Sequence, residues 1–140
     1  MSCLLAHLWQ ARRNEKLAKQ LLDELDYKEW AVTVTFYSGL HYVEASFAQI
    51  PTIGHSETSM PPSWNKSIHS WREDLIIRNF PSIHSNYRKL QNSSMIARYL
   101  SSSTIPFLDR PAEDFFDKTD VGNFINRDLG KIKNKVGITA

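Results

Sequence analysis

The chain has 140 residues, of which 41% are hydrophobic, and this size suits one compact domain with its own core. Its formal net charge of +2 is too small to indicate a nucleic-acid partner unless the charges gather on one surface. The single cysteine, Cys3, excludes an internal disulfide, no export signal is recognisable, and the apolar runs are too short for a membrane span. We therefore expect a single cytoplasmic domain covering residues 1–140 that does not enter a membrane.

The first two predicted elements are long helices. Apolar side chains recur at the helical period from Leu4 to about Leu25, and again from about Glu29 to Ile50. The second helix contains Gly39, which costs about 1 kcal/mol relative to alanine in a helix. The missing side chain at this position predicts a close approach by another helix.

The second helix shows two faces of different chemistry. An apolar stripe would seat it in the core, and it consists of Val32, Phe36, Leu40, Val43, Phe47 and Ile50. The neighbouring face is aromatic and polar, and it consists of Trp30, Thr33, Tyr37, His41, Glu44 and Ala48. This second face indicates a semi-buried polar cleft or a subunit interface, or else a helix buried on two sides whose polar groups are satisfied locally.

A loop and a third helix follow. Residues 51–62 are rich in proline, glycine and serine, which predicts a long loop of the kind that often carries function. The third helix is expected to start at Pro62 or Ser63 and to end before Pro81. Its core stripe would be Trp64, Ile68, Trp71 and Leu75.

The fourth helix is expected to begin at Pro81, since proline is favoured in the first helical turn. Its inward side chains would be Ile83, Tyr87, Leu90, Ser94, Ala97 and Ser101. One or two further helices are predicted between Ala112 and Lys135, anchored by Phe115, Phe116, Phe124 and Ile125, with a solvated basic tail at Lys131, Lys133 and Lys135. These patterns predict an all-α fold, with a core over about 4–101 and a C-terminal extension over about 102–140.

The sequence offers little support for a metal or a cofactor. The lone Cys3 is a poor metal ligand, and the five histidines lack the paired spacing of a zinc site. The glycines are isolated from one another, so no phosphate-binding glycine loop is present. We therefore expect no metal and no bound cofactor.

Two pairs of histidine and arginine are candidates for function. His69 and Arg72 are three residues apart and share a helix face, whereas Arg78 and His84 flank the corner at Pro81. Such a corner would bring both side chains into one cleft, where Arg78 would grip a phosphate and His84 would transfer a proton near neutral pH.

Further along the fourth helix, Arg88, Gln91 and Arg98 form a basic track that a phosphodiester chain would follow. The alternative is that these arginines only cover the edges of the core with their apolar stems.

Several segments together resemble the HEPN family of helical, nucleotide-binding domains. The resemblance covers roughly Leu8 to Ser101, and it is carried by FYSGLHYVEA on the second helix, HSWRE on the third, and Tyr87, Leu90, Ser94 and ARYL on the fourth. It implies an up-and-down bundle of four to five helices that is commonly a homodimer and is often encoded in toxin–antitoxin modules or phage-defence systems.

The resemblance also implies an activity. Many HEPN proteins are similar to metal-independent endoribonucleases whose hallmark is an arginine followed four to six residues later by a histidine. In this chain the segment RNFPSIH matches, which would place the hallmark on Arg78, Asn79 and His84. The 2′-hydroxyl of RNA would act as nucleophile, His84 would move the proton, and Arg78 and Asn79 would hold the phosphate.

Two other functions fit the same sequence. A non-catalytic HEPN-like module would bind a nucleotide or dock a nucleotidyltransferase partner in a cleft made by Tyr37, His41, Glu44, His69 and Arg72. A purely structural helical protein would instead use the aromatic side chains of the second helix as a dimer interface.

Overall fold

The computed structural model describes residues 3–101 and 108–135, and all regular secondary structure within these ranges is helical. The α-helices in chain order are α1 (Cys3–Asp23), α2 (Lys28–Phe47), α3 (Ser56–Ser59), α4 (Ile68–Asn79), α5 (His84–Tyr99), α6 (Lys118–Asn123) and α7 (Leu129–Lys135). Short 3-10 turns occupy Pro81–Ile83 and Ala112–Phe115, and a π-helical turn over Phe124–Asp128 joins α6 to α7. The prediction of an all-α fold is confirmed, and the closer likeness to a HEPN bundle stays a prediction.

Helices α1 and α2 form an antiparallel hairpin that is fastened by polar contacts as well as by apolar packing. The Ser38 hydroxyl donates a hydrogen bond to the Ala11 carbonyl oxygen at 2.7 Å, and the Tyr42 hydroxyl donates to the Glu15 carboxylate at 2.7 Å. These bonds link the two helices in one register and set which side chains of α1 face the polar side of α2.

Helix α2 lies at the centre of the fold and packs against α1, α5 and α7. Its predicted apolar stripe is buried from Val32 to Phe47. At Gly39 the neighbouring side chains approach closely, as expected. A Cβ atom there would lie 3.5 Å from both Leu90 Cδ1 and Ile132 Cδ1, which is ordinary van der Waals contact, so the packing does not require glycine.

The loop and the third helix differ from the sequence prediction. Helix α4 begins at Ile68 rather than at Pro62 or Ser63, because Ser67 is its N-cap and accepts a hydrogen bond from the Ser70 backbone N–H at 3.2 Å. The predicted loop over residues 51–62 contains the short helix α3.

The corner between α4 and α5 also differs in detail. Pro81 begins a 3-10 turn rather than the α-helix itself, and α5 starts at His84. Phe80, which precedes the proline, has φ −136° and ψ 57° and therefore leaves the helical conformation, as residues before proline tend to do. The bend expected at Pro81 is thus present.

The C-terminal helical segment belongs to the same core as the rest of the chain. Val121, Phe124, Leu129 and Ile132 are buried in it. The core therefore includes residues well beyond 101. The predicted boundary between core and extension adjoins residues 102–107, which lie outside the described ranges. None of the helices in the described ranges is both long enough and apolar enough to cross a membrane.

Candidate functional site

A fully buried carboxylate, Glu44 on α2, is the centre of a polar cluster between α1, α2, α3 and α4. Its relative exposure is 0%, and it is the one acidic side chain among the buried residues of α2. Arg72 Nε on α4 donates to Glu44 Oε1 at 2.9 Å, and the Ser56 backbone N–H donates to Oε2 at 3.2 Å. The Ser56 hydroxyl donates to Oε1, and His55 Nε2 lies 3.4 Å from Oε2. The cluster therefore anchors the loop after α2 onto that helix.

Arg72 neutralises this buried charge and is itself only 4% exposed. Burial alone would raise the pKa of Glu44, but the hydrogen bonds from Ser56 and Arg72 outweigh burial and hold the pKa below its ordinary value. Glu44 is consequently ionised at neutral pH, and the pair is an internal ion pair. Glu44 therefore depends on Arg72 for the stability of the fold, because an uncompensated buried charge costs about 3–5 kcal/mol.

Three histidines surround the carboxylate side of the cluster. His7 Nδ1 and His41 Nδ1 lie 2.9 Å apart, so one ring donates a hydrogen to the other. The ring centroid of His7 lies 5.1 Å from those of both His41 and His55. Burial, followed by the neighbouring His7, lowers the pKa of His41 to about 4, and burial also lowers the pKa of His7. Both rings are therefore neutral at physiological pH.

A second polar group, the Arg98 patch, consists of Arg98, Tyr37 and His69. Arg98 Nη1 donates to the Tyr37 hydroxyl at 2.7 Å, and Arg98 Nε and Nη2 donate to Ser94. Within the described ranges no carboxylate forms an ion pair with Arg98, in contrast to Arg72, Arg78 and Arg88. The Arg98 patch therefore carries an uncompensated positive charge.

His69 connects the Arg98 patch to the Glu44 cluster. Its Nδ1 lies 3.4 Å from Arg72 Nη1. Burial lowers the pKa of His69, and the positive charges of Arg72 and Arg98 lower it further. The imidazole thus lies in the field of two guanidinium groups, a setting that favours an anion nearby.

Tyr87 on α5 adds a buried hydroxyl beside Arg72. The hydroxyl makes no hydrogen bond of good geometry in the described part of the chain, but the Arg72 guanidinium lies close enough to interact with it. Burial raises the pKa of Tyr87 to about 12, and the charge and hydrogen bonding of Arg72 oppose that rise.

The three residues predicted as catalytic are not joined to one another. Arg78 is 62% exposed in its side chain, pairs with Asp74 at 2.8 Å and lies over the Trp71 ring. Asn79 donates from Nδ2 to the Leu75 carbonyl oxygen of its own helix at 2.8 Å. Among the described residues, no hydrogen bond or ion pair connects Arg78 to His84.

His84 instead shares a carboxylate with Arg88. His84 Nε2 lies 2.8 Å from Glu73 Oε1, and Arg88 Nη1 donates to the same oxygen at 2.9 Å. Since Arg98 bonds Tyr37 and Ser94, the predicted basic track is divided into an Arg88 end with a carboxylate and an Arg98 end without one. The corner at Pro81 thus brings His84 to Glu73 rather than to Arg78.

The structure unites the residues of the predicted non-catalytic cleft better than those of the catalytic hallmark. Glu44, Arg72 and His69 form one connected chain of contacts, and Tyr37 is joined to Arg98. His41 lies beside His7 rather than in direct contact with Arg72. Sequence reasoning missed His7, His55 and Ser56, because no helical spacing relates these positions to Glu44.

The aromatic side chains of α2 contribute little exposed surface. Phe36, Tyr42 and Phe47 are buried within the chain, whereas Trp30 is 56% exposed. An interface built on these aromatics would therefore rest on Trp30 and on the partly exposed Tyr37.

Comparison of the chain with models of protein families, with curated proteins and with solved structures finds no match.

Proposed function

We propose that this protein is a HEPN-like module that binds a phosphate-bearing ligand, a nucleotide or single-stranded RNA, at the Arg98 patch. The observation that carries the proposal is the uncompensated charge of Arg98 beside His69. A half-buried guanidinium without a carboxylate is a natural partner for a phosphate, which it recognises with charge-assisted hydrogen bonds.

The hydrogen bonding of Arg98 supports this function. A guanidinium has five N–H donors, and the side-chain bonds of Arg98 to Tyr37 and Ser94 use three of them. These bonds hold the guanidinium in place, and the other two donors have no partner among the described residues and are left for a ligand. A preorganised cation of this kind binds an anion without a large loss of side-chain entropy.

Tyr99 offers a surface for a base next to this phosphate site. Its side chain is 64% exposed, and Arg98 Cζ lies 4.9 Å from the centroid of its ring. Base stacking on an exposed aromatic ring contributes about 1–3 kcal/mol per base and tolerates different sequences. We therefore propose recognition of backbone and base face rather than of a defined sequence.

Fluorescence anisotropy with a labelled, 5′-phosphorylated oligoribonucleotide tests the proposal. The variant Arg98→Gln should weaken binding roughly tenfold or more, since hydrogen bonds to charged groups contribute about 1.5–3 kcal/mol. The matched control is Arg88→Gln, which removes the same charge from the same helix about 15 Å along its axis and should bind nearly as the native chain does. Equal losses in both variants would indicate a nonspecific charge effect and would contradict the proposal, as would the absence of saturable binding by the native chain.

A metal-independent endoribonuclease is the second candidate, and the contact between His84 and Glu73 favours it. With the Glu73 carboxylate accepting from His84 Nε2, Nδ1 is the ring nitrogen left to accept a proton. In this proposal His84 transfers the proton while Arg78 and Asn79 hold the phosphate, with residues from two copies of the chain meeting in a dimer cleft.

Incubation of labelled RNA with the protein and excess chelator tests this second candidate. Cleavage that persists in chelator and is lost in His84→Ala would support it, with circular dichroism to show that the variant is folded. Undiminished cleavage by His84→Ala would contradict the assignment, and saturable binding without cleavage would leave the binding module as the function.

From the HEPN resemblance we also propose three partners: a second copy of the chain, an antitoxin and a nucleotidyltransferase. The setting would be a cytoplasmic toxin–antitoxin or phage-defence system. Two exposed apolar side chains on α1 are consistent with a homodimer, since Trp9 is 53% exposed and Leu17 is 41% exposed. Solution mass measured across a dilution series, for the native chain and for Trp9→Glu, tests it. A monomeric mass for the native chain at every concentration would exclude the dimer.

A further inference from the structure

Three side chains that can bind a metal converge beside the buried ion pair, although they come from distant parts of the sequence. They are His7 on α1, Glu44 on α2 and His55 at the N-cap of α3. One ligand atom from each lies within 4.8 Å of the others. Two imidazoles and one carboxylate are a ligand set that proteins use for zinc, with a further position left for water or another ligand.

We infer that His7, Glu44 and His55 bind a divalent transition-metal ion, with zinc as the expected metal. Imidazole nitrogen suits zinc, copper, nickel and iron better than it suits magnesium or calcium, which prefer oxygen ligands. The spacing of histidines along the sequence predicted no such site, because its donors meet only after α1, α2 and the loop have packed.

The two oxygens of Glu44 already have different surroundings. Oε1 accepts hydrogen bonds from Arg72 Nε and from the Ser56 hydroxyl, which fix the orientation of the carboxylate. Oε2 accepts one hydrogen bond, from the Ser56 backbone N–H at 3.2 Å, and faces His55 Nε2 at 3.4 Å, so its second lone pair is the one available to the metal. Metal-binding carboxylates and histidines are commonly oriented by such supporting hydrogen bonds.

His41 supports His7 in the same way. When His7 Nδ1 carries the hydrogen and donates it to His41 Nδ1 at 2.9 Å, His7 Nε2 keeps a lone pair that can bind a metal.

Closing the site needs small adjustments that these side chains can make. Zinc binds nitrogen and oxygen at about 2.0–2.2 Å, so the donors must move closer by on the order of 1 Å. When His55 Nε2 takes the metal, the ring hydrogen moves to Nδ1, and the 3.3 Å contact from the Glu57 backbone N–H to Nδ1 is lost. This contact is long for a hydrogen bond, and its loss is a small cost beside a metal–nitrogen bond.

Zinc titration of the untagged, chelator-treated full chain tests the site, with a chromophoric zinc indicator as competitor. We expect one zinc ion per chain, with binding weakened roughly tenfold or more in His7→Gln and in His55→Asn. Asparagine at position 55 keeps an N-cap side chain for α3 while it removes the imidazole. Cobalt(II) provides a second readout, since visible absorption bands report four-coordinate nitrogen and oxygen ligands.

Three matched variants should bind zinc as the native chain does. His84→Gln removes a histidine elsewhere, and Cys3→Ser removes the thiol. Arg98→Gln removes the arginine proposed to bind phosphate, so a failure of the phosphate site is distinguishable from a failure of the metal site. The inference is overturned if the native chain shows no saturable binding, if both histidine variants retain the site, or if Cys3→Ser abolishes it. Circular dichroism confirms folding, and if His7→Gln does not fold, His55→Asn decides the question alone.

Discussion

Two glutamates in this protein each pair with one arginine and one histidine, but in different surroundings. Glu44 on α2 pairs with Arg72 and His55, and Glu73 on α4 pairs with Arg88 and His84. The side chain of Glu44 is 1% exposed and that of Glu73 is 20% exposed, and Arg72 is 5% exposed where Arg88 is 55% exposed. The same residue types therefore form an internal ion pair in one place and a surface ion pair in the other.

The difference teaches that partner identity alone does not measure the importance of an ion pair. An exposed pair is screened by water and salt and contributes about 0–1 kcal/mol. A buried pair is expensive to create, and removing one partner leaves the other charge without solvation. The Glu44 cluster should accordingly control stability, while the Glu73 pair is free to change with little effect on the fold.

The largest expected effect separates these two arginines directly. Arg72→Met leaves Glu44 buried without its cation and should lower the free energy of unfolding by about 3–5 kcal/mol. Arg88→Met, the matched change in the exposed pair, should lower it by no more than about 1 kcal/mol. Urea denaturation followed by circular dichroism measures both. Similar losses in the two variants would remove the distinction between the clusters.

A smaller loss is expected at Ser56, which donates to Glu44 from its backbone and its hydroxyl. Ser56→Ala removes the hydroxyl bond to a charged group and should cost about 1.5–3 kcal/mol. Ser85→Ala, at an exposed position of α5, is the control and should stay within about 0.5 kcal/mol of the native chain. A Ser56→Ala variant as stable as this control would show that Arg72 alone satisfies the carboxylate.

The pH dependence of stability should report the histidines beside Glu44. The pKa of His41 is about 4 in the folded chain against an ordinary 6.5, so between these values the unfolded chain binds the proton that the folded chain does not. The contribution of neutral His41 to the free energy of unfolding is therefore fully present above about pH 6.5 and declines as the pH falls toward 4. The lowered pKa of Glu44 acts at more acidic pH, because its stabilisation is lost only below the ordinary value of 4.5.

Thermal unfolding measured across this range checks the prediction. His41→Gln should flatten the decline between pH 6.5 and 4, and His84→Gln should retain it. A native chain whose melting temperature does not change over this interval would show that His41 titrates alike in the folded and unfolded states.

The smallest expected effect belongs to Glu73. Glu73→Gln removes the partly exposed carboxylate from His84 and from the exposed Arg88, and it should change the free energy of unfolding by less than about 1 kcal/mol. The measurement is again urea denaturation, at low and at high salt. A loss approaching that of Arg72→Met would mean that the Glu73 pair is structural after all, and the contrast between the two glutamates would disappear.

Much of the fold was predictable because helical periodicity depends only on residues that are close together in the sequence. The apolar stripes of α1 and α2 and the helical C-terminal segment follow from the spacing of side chains on one helix face. The beginning of α4 was missed because Ser63 and Ser67 are equally suitable N-cap residues by type, and only the path of the chain there decides between them. Helix α3 was missed because four residues carry no measurable period.

The candidate site was predictable only in part. The polar face of α2 correctly indicated that Tyr37, His41 and Glu44 are unusual, and the shared face of α4 placed His69 beside Arg72. The corner at Pro81 was also foreseen, but the partners at that corner were not, because Glu73 and Asp74 compete for His84 and Arg78. The spacing of an arginine and a histidine does not reveal the carboxylates with which each of them pairs.

By itself the sequence determined that this chain is helical and that α2 carries an apolar stripe beside a polar face. Those properties depend on neighbours a few residues apart, which backbone geometry relates directly. Only the tertiary structure decided that α2 is central, that Arg72 neutralises Glu44, and that His7 and His55 stand beside the same carboxylate. Contacts between distant segments depend on how the helices pack, and no local spacing contains that information.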